Sequence, residues 1–196
     1  MREPPLRQRS PRVPWRTECP PEPFGSATHW HPSPSETIDD AETTIAEVAA
    51  GRPAVLVFYL GAWCPYCNLT LNHYNETLAP ALAERDVALI AISPQHADGS
   101  RAAVANGDLG STVLSDPDNR LATALGIVTA PSHEAQQAHA ALRFAVKDSN
   151  ADDTPAIPFP TVLVIERDQT IRFADVHVDY TTRTETAEIL AAVDAL

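Results

Sequence analysis

The sequence predicts an α/β fold: a central mixed sheet of parallel strands plus an antiparallel closing hairpin, flanked by helices. Two unbroken apolar runs carry that prediction, Ala54–Leu60 (AVLVFYL) and Val87–Ser93 (VALIAIS). Runs without polar alternation belong to strands buried on both faces, as in a parallel sheet covered by helices on either side. The third observation lies near the end of the chain. Thr161–Glu166 and Ile171–Val178 are strand-like segments joined by the polar turn Arg167-Asp168-Gln169-Thr170, a hairpin signal.

The elements follow in order. Residues 1–34 read as an N-terminal arm, extended or partly disordered. Pro4, Pro5, Pro11, Pro14, Pro20, Pro21, Pro23, Pro32 and Pro34, half of the chain's 18 prolines, fall there. Each fixes φ and removes a backbone donor, which bars helix and central strand. The folded domain, residues 35–196, is expected to open with a helix. Thr37 and Asp40 pair as an N-cap, Ile38, Ala41, Ile45 and Val48 form an apolar stripe, and Gly51 is the stop. After the first buried strand a long helix runs from Asn68 to about Arg85, bent near Pro80. A short helix at Arg101–Asn106 and a short strand at Thr112–Ser115 follow. Asp116-Pro117-Asp118 caps a helix through Leu125 that Gly126 ends. Ser132–Val146 reads as an amphipathic helix and Lys147–Ile157 as a polar loop rich in Asp. After the hairpin, Thr182 with Glu185 starts the last helix, which carries Ile189, Leu190 and Val193. The order βαβαβα, an inserted helix, then ββα is a thioredoxin-like plan.

Composition bounds the chemistry. With 196 residues, 44% hydrophobic and 20% charged, the chain suits one domain with an extension. A net charge of −12 lacks the positive footprint that nucleic acid or an anionic membrane surface requires, so neither is an expected partner. No stretch reaches the roughly 18 apolar residues of a membrane span. No apolar segment follows Arg2, Arg7, Arg9 and Arg12, as a secretory signal would need. The cytoplasm is the expected location, where a close cysteine pair means redox or metal chemistry rather than a structural staple.

That pair is Cys64 and Cys67, in Trp63-Cys64-Pro65-Tyr66-Cys67, directly after the first buried strand and at a helix start. The two sulfurs sit one turn apart, close enough for a small disulfide ring. A helix N-terminus presents unpaired N–H groups and about half a positive charge, which stabilises a thiolate. Pro65 suits the first turn, where its missing N–H costs nothing. A thiolate there attacks a disulfide or peroxide and the second thiol resolves the product. Cys64 is the expected nucleophile and Cys67 the resolver. Two other readings stay open, a pair of buried structural cysteines and a non-catalytic zinc-binding scaffold using Cys19, His29 or His31 as further ligands. Zinc needs four close ligands, however, and neither a second CxxC nor an HxxxH is present. Pro160, in Ile157-Pro158-Phe159-Pro160-Thr161, precedes a strand and is a candidate for a cis peptide facing the CxxC.

Five stretches, Phe58–Asn68 (FYLGAWCPYCN), Ala91–Pro94 (AISP), Leu114–Asn119 (LSDPDN), Pro158–Ala174 (PFPTVLVIERDQTIRFA) and the closing DYTTRTETAEILAA, resemble one family. It is the peroxiredoxin-like branch of the alkyl hydroperoxide reductase C/thiol-specific antioxidant (redoxin) family. The resemblance covers residues 52–196 and leaves out the arm. It implies a thioredoxin fold and a thiol-dependent oxidoreductase without a bound cofactor. The implied partners are a disulfide or peroxide substrate and a thiol electron donor, thioredoxin-type or of low molecular weight; a homodimer is left open. A peroxiredoxin proper has Pro-x-x-x-Thr/Ser-x-x-Cys with the last Cys peroxidatic. Laid over this sequence, that Cys falls on Cys67, the Thr on Cys64, the Pro on Leu60, and the family's active-site Arg on Pro160. The thioredoxin pattern fits at Trp63, Cys64, Cys67 and Pro160, but its buried Asp falls on Phe58. The implied activity is therefore disulfide exchange through Cys64, with a Cys67 peroxidase as the alternative.

Remaining candidates carry less. Cys19 could act as a distant resolving thiol. His73 lies six residues past Cys67, out of helical phase with it. His177 would be the third ligand of a copper-carrying thioredoxin fold, a type that usually spaces its cysteines CxxxC. Tyr66 is a contact for partners or a packing residue, and Glu185 and Glu188 form a solvated helix face.

Overall fold

The buried run at Ala54–Phe58 becomes the axis around which the sheet is built. A computed structural model describes residues 28–29, 34–37, 39–97, 99–101, 104 and 111–196. Among them, β1 (Thr28–His29), β2 (Ser35–Thr37), β3 (Glu42–Thr43), β4 (Ala54–Phe58), β5 (Ala88–Ser93) and β6 (Thr112–Ser115) precede the β7 (Val128–Thr129) and β8 (Ile157–Pro158) ribbon. The hairpin β9 (Thr161–Ile165) and β10 (Thr170–Val176) follows. Eight strands form one sheet in the order β1-β10-β9-β4-β5-β6-β2-β3. β4, β5 and β6 are parallel, while β9 runs antiparallel to β4 and β10 antiparallel to β9. This is the mixed α/β sheet expected of a thioredoxin-like fold.

Alternation along β4 explains its unbroken apolar run. Val55, Val57 and Tyr59 enter one core with Leu71, Tyr74, Leu78, Leu82, Ile189 and Val193. Those partners come from α2 (Pro65–Thr77), α3 (Ala79–Ala83) and their flanks, and from the last helix (Thr186–Val193). Ala54, Leu56 and Phe58 enter the opposite core with Ile45 and Ala49 of α1 (Ile45–Ala49) and Leu121 and Ala122 of α4 (Arg120–Ala124). Each fully buried aliphatic side chain contributes about 1.5–3 kcal/mol, so a strand with two apolar faces needs both helical layers. None of the described helices is long and apolar enough to cross a membrane.

Several boundaries differ from expectation, each for a physical reason. The opening helix is confined to α1. Thr37 does cap, but it caps a turn, its hydroxyl accepting from the backbone N–H groups of Asp39 and Ala41. Residues Ser35–Thr37 instead cover the edge of β6. The capping box belongs to Thr44 and Glu47, and left-handed Ala50 (φ 52°) and Gly51 (φ 75°) end the helix. The long helix breaks at Leu78, between α2 and α3, with Pro80 in the first turn of α3. Asp116 acts across a 3₁₀ turn, its carboxylate accepting from Leu121 N at 2.9 Å and Ala122 N at 3.1 Å; Gly126 (φ 69°) follows α4. The helix expected at Ser132–Val146 is shorter, α5 (His133–Ala141), capped by Ser132. It ends before Arg143, whose φ of 56° stops it, and it buries no residue. The last helix, α6 (Thr186–Val193), starts at the Glu185–Glu188 capping box because Thr182 and Thr184 are engaged with His177 and Asp175. Cys19, His31, most of the arm, and most of the helix expected at Arg101–Asn106 lie outside the described residues.

Candidate active site

The end of β4 feeds directly into the cysteine turn. Gly61 has φ 147°, and a Cβ there would lie 2.5 Å from Trp63 Nε1 and 2.9 Å from Gln95 Cδ, so only glycine fits. Buried Gln95 clamps the turn, its Oε1 accepting from Ala62 N at 2.6 Å. Asn68 Nδ2 donates to Ala62 O at 2.8 Å, and Cys64 N donates to Gly61 O at 3.1 Å. Cys64 thereby becomes the N-cap of α2 with Pro65 behind it in the first turn. Register supplies the other wall. Phe58 at the end of β4 pairs with Thr161 at the start of β9, so Pro160 stands beside the cysteine turn.

Both cysteines are free thiols. The Cys67 thiol and the backbone N–H groups of Cys67 and Tyr66 face the Cys64 sulfur. Led by the Cys67 thiol, and joined by the Arg183 charge, they lower its pKa from 9.0 to about 6 against the opposing effect of burial. Cys67 is pushed well above its ordinary value, first because its proton is engaged by the Cys64 sulfur and then by burial. The pair therefore rests as a Cys64 thiolate beside a protonated Cys67. A lowered pKa means the thiolate is present above about pH 6 and lost as pH falls through it. Alkylation of reduced protein by iodoacetamide is expected to follow that curve, with Cys64 labelled first; mass spectrometry across a pH series reads both.

A cavity of about 440 Å³ opens on this turn. Trp63, Cys64, Pro65, Tyr66 and Pro160 all line it, so the sequence-predicted residues are brought together there, whereas Cys67 lies behind and does not line it. Trp63 packs on Phe144 with ring centroids 5.1 Å apart, and Tyr66 meets Tyr180 edge-on at 5.6 Å. The expected cis peptide at Pro160 is a trans one. Its neighbours hold the chain extended without it, since Phe159 N donates to Ile127 O and His177 N to Pro160 O, both at 2.8 Å.

Sequence reasoning missed Arg183. Its Nη1 donates to the carbonyls of Tyr180 and Thr182, both at 2.6 Å, and its Nη2 reaches Cys67 Sγ at 3.3 Å. The next residue is anchored, because the Tyr74 hydroxyl donates to Thr184 O. Arg183 lies between Thr182 and Glu185, which read only as a helix start, and no local periodicity marks it. His177 is held by Asp175 at 3.0 Å and Thr182 at 2.7 Å. No group of three or more His, Cys, Asp or Glu able to hold a metal occurs among the described residues.

The AhpC/TSA family model matches residues 32–174. The chain belongs to the AhpC/TSA family. It is accordingly a thiol-dependent oxidoreductase. The match begins upstream of residue 52 and stops before the closing DYTTRTETAEILAA stretch. No curated protein matches this AhpC/TSA protein significantly in sequence. Among solved structures it is similar to the peroxidoxin BcpB of Mycobacterium tuberculosis, at 17% identity and TM-score 0.66, over 87% of this chain and 97% of that one. It is also similar to reduced Prx3 of Vibrio vulnificus in complex with H2O2, at 18% identity and TM-score 0.68, over 87% and 99%. A secreted disulfide oxidoreductase of Mycobacterium tuberculosis, homologous to E. coli DsbE, aligns at 20% identity and TM-score 0.54, over 84% and 96%. These likenesses establish the fold.

Proposed function

We propose that this AhpC/TSA protein is a dithiol–disulfide oxidoreductase with Cys64 as nucleophile and Cys67 as resolver. One observation carries the proposal: Cys64 is the thiolate and lines the cavity, while Cys67 keeps its proton and stands behind it. The Cys64 thiolate attacks one sulfur of a substrate disulfide and expels the other as a thiolate. Cys67 then loses its proton, attacks the Cys64 sulfur and expels the second thiol, leaving a Cys64–Cys67 disulfide. A thiol donor, thioredoxin-type or of low molecular weight, returns the pair to the dithiol. Trp63, Pro65, Tyr66 and Pro160 shape the approach. Residues 35–196 act as the redox domain with 1–34 as an appended arm, in which Cys19 is an auxiliary thiol; the cytoplasm is the proposed compartment.

A second reading, a peroxidase with Cys67 peroxidatic and Cys64 resolving, is favoured by the Arg183 contact to Cys67, since a cation at a thiolate also polarises a bound peroxide. Hydrogen peroxide consumption measured beside disulfide reduction, in the wild type and in Cys64→Ser and Cys67→Ser, separates the two. Disulfide reduction that needs Cys64 for its first step supports the proposal. Rapid sulfenic acid formation at Cys67 overturns it.

A further inference from the structure

The walls of the cavity say what kind of disulfide can reach Cys64. Its volume of about 440 Å³ falls within the roughly 300–1,000 Å³ of sites that enclose small organic molecules. Trp63, Leu142, Phe144, Ile157, Phe159 and Pro160 are among its apolar lining residues, and no Asp, Glu, Lys or Arg lines it among the described residues. A charged disulfide placed there would shed its hydration and find no counter-charge. Cys64 is 2% exposed, whereas Tyr66 at 44% and Tyr180 at 36% form the rim, so the sulfur is recessed. A disulfide held on the surface of a folded protein cannot present itself to a recessed sulfur as a small molecule can. Two residues of the wall carry an orphaned polar atom: Trp63 Nε1 and His139 Nδ1 are each buried without a hydrogen-bond partner. The His139 ring nitrogen marks where a hydrogen-bonding group of a ligand would sit.

We infer that the substrate of Cys64 is a small organic disulfide with an apolar or aromatic body, bound in this cavity. The inference rests on the reading of Cys64 as nucleophile. The chemistry is balanced within the pair. Reduced protein plus R–S–S–R yields the Cys64–Cys67 disulfide and two R–SH, the S–S bond of the substrate taking two electrons and the two protons coming from the dithiol. A single turnover therefore needs no added reductant.

The test mixes reduced full-length protein with dibenzyl disulfide, glutathione disulfide, 2-hydroxyethyl disulfide and insulin in separate single turnovers. Each rate is divided by that of the same compound with dithiothreitol, which removes intrinsic reactivity. Dibenzyl disulfide is expected to exceed the other three at least about 10-fold. Ala135→Trp, on α5 at the cavity wall, should shrink the ratio of dibenzyl to 2-hydroxyethyl disulfide at least about fivefold. Dibenzyl sulfide, which has no bond to reduce, should bind the wild type in a fluorescence titration. Insulin or glutathione disulfide outpacing dibenzyl disulfide overturns the inference, as does an unchanged ratio in a folded Ala135→Trp protein. Failure of the two claims is distinguishable. Dibenzyl sulfide binding with Cys64 inert to every disulfide sinks the nucleophile reading alone, while indiscriminate reaction without sulfide binding sinks the substrate class alone.

Discussion

Replacing Cys67 by serine is expected to leave a protein that attacks a disulfide once and cannot release it. The attacking sulfur of Cys64 has its own cavity and its own stabilisation from the backbone N–H groups of Tyr66 and Cys67, neither of which depends on the side chain at position 67. What is lost is the second displacement, so a mixed disulfide at Cys64 accumulates to about one per chain, and intact-protein mass spectrometry reads it directly. Cys64→Ser removes the first displacement, and disulfide reduction should fall by at least about 10³-fold, because residues of one catalytic unit are not replaceable by the rest. Cys67→Ser also carries an internal check. The Cys67 thiol is the largest influence holding the Cys64 pKa down, and a serine hydroxyl replaces it only in part. The alkylation curve of Cys64 should therefore move to higher pH in this variant. A mixed disulfide that builds up instead on Cys67 in the Cys64→Ser protein would reverse the assignment.

How far the sequence discloses this site depends on whether the residues are joined locally or through the fold. Trp63, Cys64, Pro65 and Tyr66 were legible because they are contiguous at a strand–helix junction, where helix-terminus chemistry depends on neighbours in the chain. Pro160 was legible through the hairpin pattern, since a residue just before β9 must lie near the end of β4 once the strands pair. Arg183 was not, because its contact with Cys67 spans 116 positions and a lone arginine in a polar loop has no periodicity to betray it. The cavity was hidden for a related reason. The segment Ser132–Val146 reads as an amphipathic helix, yet α5 buries none of its residues and Ala135 and His139 line the cavity instead. The segment Ser35–Thr43 was misread because Thr37 satisfies a local capping rule, while the competing demand, an uncovered β6 edge, arises only from the assembled sheet.

Arg183→Ala is expected to slow the second displacement about 10-fold while leaving the first less affected. Cys67 must lose a proton before it can attack, and burial together with the Cys64 charge opposes that loss. Arg183 is the positive group in contact with its sulfur, and its charge lowers the pKa of Cys67, so its removal raises that pKa further. A hydrogen bond to a charged partner contributes about 1.5–3 kcal/mol. Arg183 is half-buried, and screening places the effect at the lower end, about 1.4 kcal/mol or tenfold. In rapid mixing with a chromogenic disulfide, the first thiol should appear at close to the wild-type rate and the second should lag, with the lag shortening as pH rises. A uniform slowing of both, with no change in pH dependence, would mark a merely structural role. Arg183→Lys should recover only part of the loss, because an ammonium cannot fork between the carbonyls of Tyr180 and Thr182 while reaching the sulfur. The same variant bears on the peroxidase reading. If Cys67 were peroxidatic, Arg183→Ala would depress peroxide consumption and leave the first thiol of a disulfide untouched, so one substitution separates the two mechanisms by the step it slows.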